Sequence, residues 1–328
     1  MISALPTQLL VGPTEHGVVR YARSIAAALP VGRGDTRAIR TLDGIAAERV
    51  QLHFTDRLFG ASPEEAAERV VAFAGANPTS ITLHDLPQAS DGAINHRRRA
   101  DAYRRVARAA VGVVCNSRYE ADLLRGLDAF LEPTVIALPV DSLAGVVGPR
   151  ERAARTPTVA LVGFLYPGKG HREVVDAVAA LKAPLSVTGL GRASEGHERD
   201  EVALRRHAAA VGVRFEMTGF LPDDELFLRC RTAAVPVAAH QHFSASASIN
   251  TWLLAGRRPI VLDGPYTREM AELRPGTLTL STPGRLAESI EQALTHPEST
   301  FLDEGTSLRP VLADVAAAYL DWWDELPW

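Results

Sequence analysis

One stretch of the chain combines glycines, a lysine and the start of a helix in an order that suits anion binding. Residues 159–162 form an apolar run of strand length, and Gly163, Gly168 and Gly170 interrupt it before a helical apolar pattern begins. A helix N-terminus offers unpaired N–H groups and the positive end of a dipole, and glycines let an anion approach them. With Lys169 added, the stretch predicts a diphosphate site; the alternative is an ordinary strand-to-helix turn with a surface lysine.

The composition is that of a soluble globular protein with enough chain for two cores. The chain has 328 residues, of which 46% are apolar and 23% are charged, and this length suggests about two domains. A net charge of −4 gives no reason to expect a nucleic-acid partner. No apolar run reaches the ~18 residues of a membrane span.

The start of the chain and its cysteines point to the cytoplasm. The first residues lack a basic region followed by a long apolar run, so we expect no signal peptide. The two cysteines, Cys115 and Cys230, lie far apart in apolar surroundings and match neither a disulfide framework nor a metal-ligand pattern. We therefore expect buried free thiols, no metal site and a cytoplasmic protein.

Predicted strands alternate with predicted helices along the whole chain. This alternation argues for an α/β protein whose parallel sheets are covered by helices. Residues 145–157 lack apolar periodicity and are rich in glycine, proline and arginine, so we expect them to link two such halves. The predicted strands cover residues 8–11, 50–54, 80–83, 111–115, 134–138, 159–162, 185–187, 213–217, 234–238, 259–262 and 278–280.

Candidate binding residues follow the predicted strands. Ligands of parallel sheets bind beyond the carboxyl ends of the strands, so loops at that edge of two facing domains would line one cleft. The residues placed there are His16 and Gly17, His84 and Asp85, and residues 163–169, 189–192, 218–221 and 240–248.

A strongly basic helix is predicted over residues 94–110, where Asp101 is the single acid. Three interpretations are open: a solvated face, a surface for an anionic acceptor or lipid headgroups, and a nucleic-acid surface, which the acidic net charge disfavours. The second interpretation would bring the protein into peripheral contact with the inner face of the membrane.

Several stretches match one protein family in order. The chain resembles GT-B-fold glycosyltransferases and is similar to the large retaining family 4. The family's glycine-loop opening is matched by HGVVRYARSIAAAL, its histidine strand by ITLHDLP, and its G-x-x-x-x-x-K-G phosphate loop by LVGFLYPGKGHREVVDAV. Three further family segments are matched by VVCNSRYEADLL, VRFEMTGFLPDDEL and WLLAGRRPIVLDGPYTREM. Together the matches span nearly the whole chain.

The resemblance implies two Rossmann-like domains that face each other across a cleft. Residues 1–145 would hold the acceptor, residues 155–307 would hold the nucleotide-sugar donor, and a final helix within about residues 308–328 would return to the first domain. The implied reaction is hexosyl transfer from a nucleoside-diphosphate sugar with retention of anomeric configuration. It requires no metal and no cofactor, and the acceptor stays open between a glycan, a lipid and a small molecule.

The resemblance also assigns roles to individual residues. Lys169 would contact the donor diphosphate, and Gly17, beside His16, would bring a backbone N–H to it from the other domain. His84 would hydrogen-bond the donor sugar and act with Lys169 in catalysis. Further donor contacts are expected from Gly163, Gly168, Gly170, Arg192 and Gly219.

Two motifs depart from the family pattern. The first is the phosphate loop, where Phe164 stands in place of the usual arginine. One of two expected cations is therefore missing, and the candidates to replace it are Arg192, His171 and Arg20.

The second departure is the Glu-x7-Glu motif, whose two positions fall on His242 and Asn250. Asn250 still accepts a hydrogen bond from a hydroxyl, but neither residue supplies a carboxylate charge. Nearby hydroxyls from Ser244, Ser246 and Ser248 are expected to contact the donor; the alternative is a helix start made of small residues.

The changes at Phe164, His242 and Asn250 keep a second hypothesis open. It is a glycosyltransferase-like protein that binds a nucleotide or glycan with little or no transfer. A third hypothesis is another enzyme of similar two-domain architecture, such as a nucleotide-sugar epimerase.

Overall fold

The computed structural model describes residues 5–30, 35–45, 49–140, 156–241 and 246–328. The chain divides into two compact units, of which one combines Met1–Pro139 with Pro310–Trp328 and the other is Val140–Arg309. Most of the predicted linker, residues 145–155, lies outside the described residues. Each unit contains one six-stranded sheet.

The first unit is built on a parallel sheet. Its strands are β1 (Thr7–Val11), β2 (Thr36–Ile39), β3 (Val50–Phe54), β4 (Thr79–Leu83), β5 (Gly112–Cys115) and β6 (Thr134–Val135). They lie in the order β2-β1-β3-β4-β5-β6, and every neighbouring pair is parallel. The chain leaves β1 toward β2 and returns on the other side at β3, so the strand order reverses between β1 and β3. Sheets of this type bind ligands at the carboxyl ends of the strands next to such a reversal.

Helices cover this sheet on both faces. They are α1 (Gly17–Ala28), α2 (Asp56–Phe59), α3 (Pro63–Ala76), α4 (Ala93–Ala109) and α5 (Arg118–Leu127). The predicted start of α3 is confirmed: the Ser62 hydroxyl accepts a hydrogen bond from the Glu65 N–H at 3.2 Å, with Pro63 as the first helical residue.

Strand β2 was not predicted from the sequence, and β6 is shorter than predicted. All four residues of β2 are exposed or half-buried at the sheet edge, so the strand carries no apolar run or alternation. The predicted strand 134–138 ends at Val135.

The second unit repeats the plan of the first. Its strands are β7 (Thr156–Val162), β8 (Ser186–Leu190), β9 (Arg214–Met217), β10 (Ala233–Ala238), β11 (Ile260–Leu262) and β12 (Thr279–Ser281). They lie in the order β12-β11-β10-β7-β8-β9 and are all parallel. The covering helices are α6 (His171–Leu181), α7 (Glu198–Ala210), α8 (Asp223–Thr232), α9 (Ala247–Leu254), α10 (Pro265–Leu273) and α11 (Leu286–Thr295). The predicted α/β class with parallel sheets is therefore confirmed.

The last helix, α12 (Leu312–Glu325), packs in the core of the first unit. The Tyr319 hydroxyl lies 2.8 Å from Thr82 Oγ1 on β4. The indole N–H of Trp323 donates to Gln51 Oε1 on β3 at 3.1 Å. Trp322 and Trp323 are both buried, so these tryptophans are core residues. No helix within the described ranges is long and apolar enough to span a membrane.

A buried arginine holds together several segments of the second unit. Arg257 is fully buried, and its guanidinium donates to the carbonyl oxygens of Cys230, Arg231, Ala233, Ala234 and Thr300. It also lies over the ring of Phe301, 4.3 Å from the centroid. The arginine thus satisfies carbonyl groups where α8 runs into β10, which would otherwise be buried without a donor.

Replacing this arginine should destabilise the second unit. We expect Arg257→Ala to lower the free energy of unfolding by at least about 3 kcal/mol, because several buried carbonyls lose a charged donor at once. The control is Arg258→Ala, which removes an ion pair to the exposed Asp303 and should cost no more than about 1 kcal/mol. Urea unfolding followed by circular dichroism measures both, and equal costs would contradict the structural role of Arg257.

Candidate functional site

Glycines allow the ends of three strands in the second unit to touch. Gly170 is the residue before α6 and has a φ of +93°. A Cβ at Gly170 would lie 2.1 Å from the carbonyl oxygen of Ala239, which follows β10. A Cβ at Gly191, which follows β8, would lie 2.3 Å from the carbonyl oxygen of Gly163, which follows β7. Only glycine fits at Gly170 and Gly191, because any side chain would push these backbones apart.

Backbone hydrogen bonds join the same loops. The Gly163 N–H donates to the Leu190 carbonyl at 3.0 Å, and the Leu165 N–H donates to the Arg192 carbonyl at 2.9 Å. The Gly219 N–H donates to the Gly191 carbonyl at 2.9 Å. The structure therefore brings the predicted loops 163–169, 189–192 and 218–221 together at the carboxyl ends of β7, β8 and β9.

Lys169 is buried at the start of α6, so the alternative of a surface lysine is wrong. Only 6% of the residue is exposed, and its Nζ donates to Ser248 Oγ on α9 at 2.7 Å. Burial lowers the pKa of Lys169 to about 7, because the charged form loses its hydration. No carboxylate in the described part of the chain forms an ion pair with this amine.

The serine-rich segment contributes one hydroxyl to this lysine. That hydroxyl belongs to Ser248, whereas Ser246 caps α9 and accepts from the Ile249 N–H at 3.4 Å. Asn250 lies on α9 and is half-buried. Two further predicted donor contacts, His242 and Ser244, lie outside the described residues.

Two histidines lie beside Lys169 and stay neutral. Burial, and then the charge of Lys169, lowers the pKa of His171 to about 3. Burial also holds the pKa of His240 well below its usual value, with further contributions from Lys169 and His171. His171 is therefore uncharged in this structure, and its role in place of the cation missing at Phe164 stays a prediction.

An arginine does lie against Phe164. The guanidinium of Arg192 is 5.4 Å from the centroid of the half-exposed Phe164 ring, within the range of a cation–π contact. Arg20, the third candidate, lies on α1 in the first unit.

His84, at the end of β4, is held by a second histidine that the sequence analysis did not single out. His84 Nε2 lies 3.1 Å from His53 Nδ1 on β3, and the two rings are stacked. The ring of Tyr21 contacts both histidines edge-on. Only 5% of either histidine is exposed. His84 therefore keeps only its other ring nitrogen, Nδ1, for a further partner. The signal in the sequence was a histidine inside the apolar run VQLHF.

The histidine pair is neutral at physiological pH. Burial lowers the pKa of His53 to about 3 and that of His84 well below its usual value. Because both rings are neutral, the N–H of one ring donates a hydrogen bond to the unprotonated nitrogen of the other.

His16 and Gly17 stand at the start of α1. His16 Nδ1 accepts a hydrogen bond from the Val18 N–H at 3.2 Å, so the histidine caps the helix. Burial lowers its pKa. Gly17 is exposed, and a Cβ there would meet nothing within 4 Å, so the fold of this unit does not itself require glycine at that position.

Carboxylates pair with much of the basic charge on α4. Arg98 pairs with Glu64, and Arg99 pairs with both Asp56 and Asp91. Arg104 and Arg108 pair with Asp101 and Asp128. In the described ranges, no group of three or more histidine, cysteine or acidic side chains could hold a metal ion.

The buried histidines should make the protein sensitive to acid. Their pKa values are lowered in the folded state, so the unfolded chain binds protons first. The stability they contribute is complete above about pH 6.5 and is lost as the pH falls toward 3. From pH 6.5 to pH 5 we expect a loss of roughly 1.5 kcal/mol from each of His53 and His171, whose pKa is lowered to about 3. His53→Gln should remove one such contribution in urea unfolding.

The control for this prediction is His296→Gln, because the His296 side chain is 67% exposed. It should leave the pH dependence of unfolding unchanged. If His53→Gln shows the same slope as the unsubstituted protein, the neutral histidine pair is ruled out.

The comparisons with known proteins agree with the architecture. No family model and no curated protein sequence matches the chain. Among solved structures, HepE from Anabaena in complex with UDP and glucose has a TM-score of 0.75 at 16% identity and covers 98% of this chain and 99% of its own. A second HepE structure, with UDP-glucose, has a TM-score of 0.58 at 15% identity, covering 88% of this chain and 81% of its own.

Two other solved structures match over similar lengths. Sucrose-phosphate synthase from Thermosynechococcus elongatus has a TM-score of 0.64 at 18% identity, and the match covers 97% of this chain and 94% of that one. The lipopolysaccharide outer core galactosyltransferase WaaB has a TM-score of 0.61 at 12% identity and coverages of 97% and 99%. Over nearly its whole length, this chain has the GT-B fold of such glycosyltransferases.

Proposed function

We propose that this protein is a retaining glycosyltransferase that moves a hexosyl group from a nucleoside-diphosphate sugar to an acceptor without a metal ion. The observation that carries the proposal is the buried Lys169 at the start of α6. A glycine-lined helix start with a lysine beside it suits a diphosphate, because helix N–H groups and a cation both attract negative charge. The GT-B fold supports the same reading, and HepE was solved with UDP-glucose.

The leaving group is the part of the donor that this loop would stabilise. As the glycosidic bond breaks, negative charge collects on the diphosphate, and Lys169 with the N–H groups at the start of α6 would offset it. Gly163, Gly168 and Gly170 would contact the phosphates through their backbone, and glycine at position 170 also permits the close contact with Ala239. Arg192, resting on Phe164, takes the place of the second cation.

The donor sugar would be placed by groups from the first unit. His84 would hydrogen-bond the sugar through Nδ1, since its Nε2 already faces His53. Gly17, which follows His16, would bring its backbone N–H to the diphosphate. Gly219, Ser246 and Asn250, with His242 and Ser244, complete the proposed donor contacts. The acceptor hydroxyl would attack from the face that the diphosphate leaves, which retains the configuration.

A second candidate function is nucleotide-sugar binding without transfer. It is favoured by His242 and Asn250 at the two positions of the Glu-x7-Glu motif and by Phe164 in the phosphate loop. Without these glutamates, less negative charge would stabilise the oxocarbenium ion that develops during transfer.

A donor panel separates the two functions. The protein is incubated with UDP-glucose, GDP-mannose or ADP-glucose, with and without sugar acceptors, and thermal shift and released nucleotide are measured. A transferase should be stabilised by one donor and should release its nucleoside diphosphate faster with an acceptor. Stabilisation without release supports binding alone, and no stabilisation by any nucleotide sugar overturns the proposal.

The chain offers a matched pair of substitutions for the site. We expect Lys169→Ala to weaken binding of the nucleotide sugar by about 1.5–3 kcal/mol, the range for hydrogen bonds to charged groups. Lys182→Ala removes an exposed lysine at the end of α6 and should leave the affinity unchanged. Titration calorimetry near pH 6.5 measures both, and equal affinities would show that Lys169 does not bind the diphosphate.

A further inference from the structure

Lysine is rare in this chain, and one of its two lysines is the buried one. The sequence contains 35 lysine and arginine residues. Lys169 and Lys182 are the two lysines, and the other 33 are arginines. The two residue types differ in one respect that matters inside a protein. Arginine does not release its proton, whereas lysine readily does so when it is buried.

A buried arginine in the same unit shows how many hydrogen-bond acceptors surround a permanently charged side chain in this protein. Arg257 is fully buried, and its guanidinium donates to five backbone carbonyls and to the Thr300 hydroxyl. Lys169 is 6% exposed and donates to one hydroxyl, that of Ser248. An ammonium group has three protons to donate, and the described side chains accept one of them.

Among the described residues, the groups that face Lys169 carry no negative charge. The ring of Tyr166 lies 5.8 Å from Nζ, and Ser248 faces it from α9. Lys169 acts on His171 at the start of α6 and on His240 after β10, and burial is the larger cause that lowers the pKa of both histidines. With no described carboxylate paired to it, burial brings the pKa of Lys169 to about 7.

We propose that Lys169 is mainly uncharged in the empty donor site at pH 8 and takes up one proton from solvent when the diphosphate of the donor binds. The bound anion supplies the counter-charge and acceptor oxygens that the empty site lacks, so the amine becomes an ammonium without any other bond changing. This inference rests on the proposed function, because it assumes that the diphosphate binds at this loop.

Proton uptake by Lys169 determines how the affinity for the donor changes with pH. Below pH 7 the amine is already charged and the donor binds without proton uptake. Above pH 7 each bound donor must also recruit a proton, so affinity falls as the pH rises. With an ordinary lysine pKa in the complex, affinity should be about tenfold weaker at pH 8 than at pH 6. A donor site built on arginine would show no such change.

Lysine-selective labelling tests the empty site directly. Protein grown with [13Cε]lysine gives two signals, assigned with Lys182→Arg, and the exposed Lys182 serves as the reference. We expect the Lys169 signal to titrate between pH 6 and pH 8 in the free protein and to remain that of a charged amine when UDP-glucose is bound. A Lys169 signal that stays charged from pH 6 to pH 8.5 in the free protein overturns the proposal.

Calorimetry measures how many protons the protein takes up for each donor bound. UDP-glucose is titrated at pH 8 in buffers of different ionisation enthalpy; its diphosphate is a diester and has no group that titrates near pH 7. We expect uptake of about 0.9 proton per donor bound, from the neutral fraction of an amine with this pKa. Lys169→Arg should bind equally at pH 6 and pH 8 without uptake. Proton uptake by Lys169→Arg equal to that of the unsubstituted protein overturns the proposal.

The two proposals fail in different ways. If neither UDP-glucose nor any other nucleotide sugar binds, the proposed function fails, while the lysine signal of the free protein still reports the charge of Lys169. If UDP-glucose binds without proton uptake at pH 8, the donor site stands and the coupling fails. The labelled protein needs no substitution at position 169, so the test does not depend on whether Lys169→Arg folds.

Discussion

Close backbone contact at glycines is the constraint on which the candidate site depends. Gly170 meets the carbonyl of Ala239, and Gly191 meets the carbonyl of Gly163, both at distances that leave no room for a side chain. These contacts hold the ends of β7, β8 and β10 together. Lys169 is the neighbour of Gly170 and is therefore carried inside the unit, where the loss of hydration governs its charge.

Each unit contains buried polar groups, and each stabilises them differently. In the first unit, Tyr319 of α12 forms a hydrogen bond with Thr82 on the sheet. Trp323 of the same helix donates to Gln51, so both of these buried polar groups of the sheet have a partner on the last helix. In the second unit, Arg257 binds the carbonyls between α8 and β10. Such groups are stable in the interior because each has a partner.

Some buried polar atoms of the described residues have no hydrogen-bond partner. Both ring nitrogens of the buried His171 lack a hydrogen-bond partner, as does Nε2 of His53. Among the described residues, the Lys169 amine donates to one group, the Ser248 hydroxyl. Unpaired polar atoms are costly in a folded interior, so the unpaired ring of His171 contrasts with the guanidinium of Arg257, which donates to several carbonyls in the same unit.

Local patterns were enough to predict most of the architecture. Apolar runs gave the central strands, and Ser62 with Pro63 gave the start of α3, because these signals act within a few residues. Strand β2 has no such signal, since it is exposed and is held by pairing with β1. The basic pattern of α4 likewise did not reveal that Glu64, Asp56, Asp91 and Asp128 lie close enough to pair with it.

By itself, the sequence determined the order of the elements, the glycines of the loop and the position of Lys169 at a helix start, because all of these depend on neighbouring residues. The tertiary structure alone decided that Lys169 is buried against Ser248, 79 positions away, and that His84 pairs with His53, 31 positions away. Charge state follows burial and partners, and those are set by segments that only folding brings together.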